Sequence, residues 1–335
     1  MAAERWVSPL RYPGGKARMS VFLSEMFVSQ WGILDFEIWM EPFAGGAGAG
    51  LTLLLDDVVP ELWLVEKNPA LAALWRSILN QGEDLAELVS RTVPSMILWE
   101  ASRETLLASE AGEHLDDLTL GLAALVINRC SRSGMVSSKV GPIGGKSQAG
   151  RWGIGARFNA EGLAARIRAV STAAPRIRFW EGDAIEHIAE LNDSGIGDEL
   201  VLFVDPPYVR EGNRLYANGM TAADHQALAD ALNDCGTPWM LTYDDEPLVS
   251  DVLYPDRRVL AYQIPHTANR QRIEWEYAVF SDNLAVAPDP ALLAKGESRW
   301  LRIDSVPELV ASPDWSVPHT CTPPPPPPAA PPAAA

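Results

Sequence analysis

The sequence predicts an α/β protein built on a doubly wound, mostly parallel sheet that is interrupted by a helical insertion. Two observations carry that expectation. Strand-like segments recur as EIWMEPF at 37–43, LWLVE at 62–66, RIRFWEGDA at 176–184 and VLFVDPPYV at 201–209, the last of them an apolar run bounded by turn signals. Runs without polar alternation suit strands covered on both faces, as in parallel sheets flanked by helices. The second observation is a gap: from about residue 70 to 130 the pattern is helical throughout, in GEDLAELVSRTV, SMILWEASRETLL and LDDLTLGLAALVINR. Strand–helix alternation therefore pauses, and an insertion is expected to begin near residue 80 and to run to about 175.

In chain order, SPLRYPGGK at 8–16 comes first, with Tyr12 between prolines, a Gly14-Gly15 pair and then Lys16. Glycines let a backbone approach a ligand closely, and a lysine behind them sets a positive charge beside a carboxylate or phosphate. A helix is expected over 17–30, then a strand that runs into EPFAGGAGAGL. Strand, glycine-rich turn and helix form a cradle for a nucleotide-type ligand, the helix N-terminus supplying amide donors. Gly45, Gly46, Gly48 and Gly50 do not give GxGxxG, and no GKS or GKT follows, so a dinucleotide fingerprint and a phosphate loop both fit poorly. A nucleoside that carries a methionine fits better. Glu66 closes the next strand about twenty residues on, the distance at which an acid meets ribose hydroxyls in doubly wound folds. Asn68-Pro69 then opens a helix.

The segment 128–175 holds Arg129, Arg132, Lys139, Lys146, Arg151, Arg157, Arg166 and Arg168 against the single acid Glu161, a surplus of seven positive charges. Much of it lies in a glycine- and serine-rich stretch that reads as long loops or a hairpin, a length of irregular chain that is usually functional or disordered. The whole chain of 335 residues carries a net charge of -17, which by itself disfavours a polyanionic partner. Charges are screened over roughly 8 to 10 Å in physiological salt, so a local basic surface can still bind phosphates.

The doubly wound pattern then resumes. Asp183 closes the 176–184 strand, where it can accept from an amino group or cap the next helix. TAADHQALADALNDC opens with a capping-box pair, Thr221 and Asp224. PWMLTYDDE, RRVLAYQIP and EWEYAVFSD supply further strands, order decays from about 285, and CTPPPPPPAAPPAAA is a polyproline or disordered tail. With 47% hydrophobic residues the chain can bury a full core. It lacks a signal-peptide core and any apolar run near twenty residues, so a cytoplasmic protein without a membrane partner is expected. Cys130, Cys235 and Cys321 are odd in number and scattered, and the histidines lie far apart, which suggests neither disulfides nor a metal site.

The most informative stretch is VLFVDPPYV. Pro206 and Pro207 cannot continue a ladder, so they end the strand at the carboxyl edge, where open α/β sheets hold ligands. Asp205 and the Pro206 carbonyl can each accept a hydrogen bond from one amino group, and the Tyr208 ring offers a face for the ring that bears it. An aromatic amine fits this seat.

SPLRYPGGK, EPFAGGAG, VEKNP, EGDA and DPPY, in that order over 8–281, together resemble the Dam-like, alpha-group DNA adenine-N6 methyltransferases. DPPY alone also resembles motifs of cytosine-N4, ribosomal RNA and protein-glutamine methyltransferases. The RYPGGK element and the insertion before DPPY separate this class from those relatives. The resemblance implies a seven-stranded S-adenosylmethionine-dependent fold with a catalytic domain over 1–79 and 176–284, target recognition by 80–175, and an extension over 285–335. It implies double-stranded DNA as partner, base flipping, and Asp205, Pro206, Pro207 and Tyr208 around the extruded adenine. S-adenosyl-L-methionine is the implied cofactor, held by Tyr12, Lys16, Glu41, Pro42, Phe43, Gly45, Gly46, Glu66, Asn68 and Asp183, with Lys16 between cofactor and target. Arg129, Arg132, Lys139, Lys146, Arg151 and Arg157 are the expected DNA contacts, with a bacterial or phage source and a cognate restriction endonuclease as a further candidate partner. The GATC-specific members carry an FNGL-like turn, whereas this chain has NRCSRSGMV and GPIGGKSQAGRWGIGARFN. A GATC target is therefore not carried over. Alternatives left open are action on RNA, cytosine-N4 or protein, and a silent DNA-binding regulator.

Overall fold

A computed structural model describes residues 7–11, 16–30, 36–194, 199–209, 219–266 and 272–303. Tyr12, the Gly14-Gly15 pair and the proline-rich tail with Cys321 lie outside the described residues.

The strands are β1 (Ile38–Glu41), β2 (Glu61–Glu66), β3 (Ile177–Glu181), β4 (Leu200–Val204), β5 (Trp239–Asp244), β6 (Arg258–His266), β7 (Arg272–Phe280) and β8 (Ser298–Arg302). They form one sheet in the order β3-β2-β1-β4-β5-β7-β6-β8. The first five in that order are parallel, and β7, β6 and β8 join antiparallel. The doubly wound sheet read from the sequence is thus present, with one strand more than the seven expected. That strand, β8, lies in the stretch where the sequence pattern decays. Its alternating burial, with Ser298, Trp300 and Arg302 the more covered side, marks it as an edge strand resting on β6. A short strand of this kind is dominated by polar residues and leaves little apolar signal.

The helices are α1 (Ser20–Ser29), α2 (Gly48–Leu55), α3 (Pro69–Asn80), α4 (Gly82–Ser90), α5 (Met96–Glu110), α6 (Asp117–Cys130), α7 (Ala160–Thr172), α8 (Ala184–Ser194) and α9 (Ala222–Asn233). Their starts follow capping chemistry. Asn68, Ser95, Asp116 and Asn159 each accept backbone N–H bonds at the head of α3, α5, α6 and α7, and the Thr221–Asp224 capping box opens α9. No helix among the described residues is long and apolar enough to cross a membrane.

The four inserted helices do not form a separate body. α6 packs on α3 and α5, and α4 packs on α7. Leu85, Val89, Trp99, Leu106, Leu125 and Ile167 belong to the same apolar core as Leu23, Leu54 and Leu62 of the sheet's α1–α2 side. The basic stretch between α6 and α7 is loop, joined by an isolated Ser131–Pro142 bridge. The opposite face of the sheet is covered by a second core that includes Ile188, Leu228 and Leu232 of α8 and α9.

Candidate active site

Parallel strands end on one edge, so Glu41, Glu66, Glu181 and Val204 all stand at the same side of the sheet. β2 and β3 lie to one side of β1 and β4 and β5 to the other. The switch point is therefore between β1 and β4, where ligands bind in such folds. The glycine turn leaves β1 and the DPPY segment leaves β4, so the two motifs face each other across that point.

On the β1 side, the turn is braced from several directions. Ala44 N–H donates to the Val65 carbonyl at 2.9 Å, Gly45 N–H donates to Glu66 Oε2 at 3.0 Å, and the Trp75 indole donates to the Gly45 carbonyl at 3.1 Å. Ser8 Oγ donates to the Gly46 carbonyl at 2.6 Å, fastening the N-terminal segment to the turn. Gly45 has φ of 46°, where a side chain would be strained. Glu41 is buried and accepts from Gly50 N–H at 2.5 Å and the Trp39 indole at 3.2 Å. Its carboxylate thus holds α2 against β1 rather than reaching outward.

A Cβ on Gly50 would stand 2.5 Å from Leu62 Cδ1 and 2.7 Å from Glu41 Oε1, both fixed by burial. Gly50→Ala is therefore expected to cost about 1–3 kcal/mol of stability, read as a lowered midpoint in thermal unfolding. An unchanged midpoint would mean that the β1–α2 junction is loose.

Glu66 also accepts from Asn68 N–H at 2.8 Å. Burial pushes its carboxyl up to about 7 against the opposing pull of the backbone amides of Asn68 and Gly45, and burial does the same to Glu41. The Asn68 amide, expected at the cofactor, is committed elsewhere. Its oxygen caps α3 and its nitrogen donates to the Val136 carbonyl at 3.2 Å in the inserted loop. Asp183 accepts from Ile185 N–H at 2.8 Å and from Lys67 Nζ at 2.6 Å. The bond from Ile185 N–H is the helix cap that the sequence allows it. Pro42 is buried and Phe43 partly so, against the second core.

On the β4 side, the strand register continues into the chemistry. Val204 pairs with Leu241, which brings Asp205 level with Thr242. Thr242 Oγ1 donates to Asp205 Oδ1 at 2.6 Å, and Lys16 Nζ donates to the same oxygen at 3.0 Å. Lys16 also donates to the Tyr208 hydroxyl and lies 3.4 Å from Glu276 Oε2. The Tyr208 hydroxyl donates to Glu276 at 2.8 Å and the Tyr262 hydroxyl donates to it at 2.5 Å. Val209 N–H donates to Asp244 Oδ1 at 3.1 Å, pinning the turn after Pro206 and Pro207 to β5. The Tyr208 ring rests against Tyr243 with centroids 6.1 Å apart.

Lys16 and Glu276 side chains are both 2% exposed and that of Asp205 25%. Burial alone would lower the Lys16 ammonium, but the carboxylates of Asp205 and Glu276 outweigh it and hold it above the usual lysine value. Burial raises the Asp205 carboxyl, opposed chiefly by Lys16. Lys16 is thus joined to the Asp205 group rather than only to the glycine turn.

Glu276, Thr242 and Tyr262 were not singled out in the sequence. A signal existed for Thr242, a polar residue in the otherwise apolar WMLTY, and Glu276, 2% exposed, is a buried charge that requires a partner. Their pairing, Thr242 with Ala278 and Glu276 with Tyr262, is a product of the sheet register.

The strand order, with antiparallel β7 placed between β5 and β6 beside a glycine turn on β1, decides the architecture. The fold is a mostly parallel, doubly wound α/β sheet, as the sequence pattern predicts. No family model matches this chain, and no curated protein matches it. Two solved structures of the rRNA methyltransferase aviRa from Streptomyces viridochromogenes are similar, at 15% and 16% identity with TM-scores of 0.34 and 0.36, covering 80% of this chain and 85% of that one. Similarity at that level carries nothing about substrate, and the fold rests on the strand order itself.

The residues expected to contact DNA divide in two. Arg129 is a correction: it is 7% exposed and its guanidinium donates to the Pro9 carbonyl. Arg129 lies on the covered face of α6, where it anchors the N-terminal segment and cannot reach a phosphate. Arg132, Lys139, Lys146, Arg151 and Arg157 are exposed on the inserted loop, and Arg151 lies over the ring of Trp152, which is 62% exposed. Arg168 is spent on Glu83 at 2.8 Å.

Proposed function

We propose that this protein transfers a methyl group from S-adenosyl-L-methionine to the N6 amino group of an adenine in double-stranded DNA. The observation that carries the reading is the arrangement on Asp205. Among the described residues both donors to Asp205, Lys16 and Thr242, meet Oδ1, which leaves Oδ2 for a substrate amine beside the Pro206 carbonyl.

The donor set suits the cofactor. Glu66, at the end of β2, and the amides at the start of α2 match hydroxyl and carboxylate groups of a methionine-bearing nucleoside. Bound there, S-adenosyl-L-methionine supplies an electrophilic methyl on a positively charged sulfur. The buried cluster holds one ammonium and two carboxylates, and the formal surplus of one negative charge favours a cation beside it.

An adenine amino nitrogen is a poor nucleophile because its lone pair is delocalised into the ring. Hydrogen bonds from that amine to Asp205 Oδ2 and the Pro206 carbonyl favour a tetrahedral nitrogen whose lone pair points at the methyl. Lys16 and Thr242 fix the carboxylate plane so that this geometry is preformed. Tyr208, tethered at its hydroxyl and backed by Tyr243, offers its ring to the base, a stacking contact worth roughly 1 to 3 kcal/mol. The exposed basic loop supplies the surface for the duplex, and extrusion brings the adenine to Asp205.

Glu66 gives this reading a pH dependence. The ionised carboxylate is the better acceptor for two hydroxyls, and with its carboxyl at about 7 the charged form grows from roughly a tenth at pH 6 to nine-tenths at pH 8. Cofactor affinity is therefore expected to rise about tenfold over that interval, with proton release on binding. Calorimetry in buffers of different ionisation heat checks it. Glu66→Gln should weaken binding and flatten the profile, and a profile that persists in that variant would move the effect to another group.

The test of the function is incubation of the protein with methyl-labelled cofactor and separate pools of DNA, RNA and protein. Label entering duplex DNA supports the reading, and label confined to RNA or protein overturns it.

A further inference from the structure

Five guanidiniums converge where the N-terminal segment meets the inserted loop, and each is bonded to backbone carbonyls alone. Arg129 donates to Pro9, Arg166 to Ser8, Arg132 to Pro142, Arg11 to Ser131 at 3.4 Å and Arg157 to Arg132 at 3.2 Å. Among the described residues none of the five is in an ion pair with a carboxylate. In a chain with a net charge of -17, an acid-free group of five arginines is not explained by the chain's own charges. A fixed positive field of this kind seats an anion.

Two members are placed to act together. Arg11 and Arg157 hang on the carbonyls of consecutive residues, Ser131 and Arg132, so both guanidiniums are anchored at the same stretch of chain. Burial and the neighbouring Arg157 bring the Arg11 guanidinium down to about 10, as expected of like charges held close without a counter-ion. The Arg11 backbone is itself fixed, its N–H donating to Asn128 Oδ1 at 2.9 Å and its carbonyl accepting from Asn128 Nδ2 at 2.8 Å. Gly134, at φ of 78°, lies beneath it, and a Cβ there would stand 3.3 Å from Arg11 Nη1. Arg11 and Lys16 are five positions apart in the chain, a reach of at most about 18 Å. The pair is therefore within a few nucleotides of the Asp205 amine site.

We propose that Arg11 and Arg157 together bind one backbone phosphate of the strand that carries the target base. The inference rests on the nucleic-acid reading above and adds to it a residue, Arg11, outside the inserted loop. The anchor ties recognition to catalysis, because one chain segment carries both Arg11 and Lys16. Arg132 supplies the carbonyl that orients Arg157 and so acts through it.

The test is the salt dependence of binding, measured by fluorescence anisotropy with the full chain and two labelled probes, a 20-base-pair duplex and a single-stranded RNA of equal length. Arg11→Gln and Arg157→Gln are each expected to reduce the slope by about one unit, the loss of one phosphate contact. The double variant should also lose about one unit, because both residues serve the same phosphate. Arg11→Lys should keep the slope but weaken binding, since it retains charge without the fork, and it covers the case in which Arg11→Gln fails to fold. Arg178→Gln, on the far edge strand and paired with Glu61, is the control and should leave the slope unchanged. An unchanged slope in both single variants overturns the proposal, as does a loss of two units in the double variant or a wild-type protein that binds neither probe. Binding of the RNA alone, with the same loss of one unit, supports the arginine site and overturns the DNA reading.

Discussion

Asp205→Ala is expected to remove methyl transfer, by about 10²-fold or more, while S-adenosyl-L-methionine still binds with near wild-type affinity. The two effects separate because the two halves of the site hang on different strands. Asp205 follows β4 and takes its donors from Lys16 and Thr242, whereas Glu66 and the glycine turn belong to β2 and β1. Loss of one preorganised polar partner at a reacting group typically costs on this scale. Label transfer under saturating cofactor and calorimetry of cofactor binding check the two halves. Turnover at the wild-type level would remove Asp205 from the chemistry. Tyr208→Phe should fall between, keeping the ring but losing the hydroxyl tether to Lys16 and Glu276.

Lys16→Met is expected to be the most destabilising single change in the site. It removes the ammonium that stands against the Asp205 and Glu276 carboxylates, both largely withdrawn from water. Removing one partner of a buried ion pair costs about 3–5 kcal/mol. The ammonium is held above its ordinary value, so its contribution is fully present at neutral pH and is lost only as pH climbs through that raised value. In the variant the two acids, deprived of the Lys16 ammonium, favour a proton, and stability should recover as pH falls. Glu276→Gln in the Lys16→Met background should restore part of the loss by removing the second charge. Thermal unfolding of the three proteins at pH 6 and 8 measures this, and equal midpoints would mean that the ammonium contributes nothing.

The sheet and the strand-end chemistry were legible because each depends on local pattern. Apolar runs marked β1, β2 and β4, and a proline pair after Asp205 marked where β4 stops. The glycine turn was legible for the same reason. What the sequence hid depends on register and on side-chain commitment. Glu276 reaches Lys16 only because β7 runs antiparallel beside β5 and β6. Arg129 looked like one of several loop cations, yet it closes α6 on the side that packs against Pro9. Asn68 sits in a motif with Glu66 but is consumed by capping α3 and holding Val136. Arg11 gave no signal of its own, since its significance comes from the residues 120 and 146 positions later that share its surroundings.

The central claim, that Asp205 and its lysine prepare an adenine amine in DNA for methylation, is tested most directly by nucleoside analysis. Duplex DNA lacking modified bases is incubated with cofactor and either the wild-type chain or Asp205→Ala, then digested and separated by mass spectrometry. The account predicts N6-methyladenine with the wild-type protein and none above background with the variant. Methylated cytosine in place of methylated adenine, or equal yields from the two proteins, would contradict it.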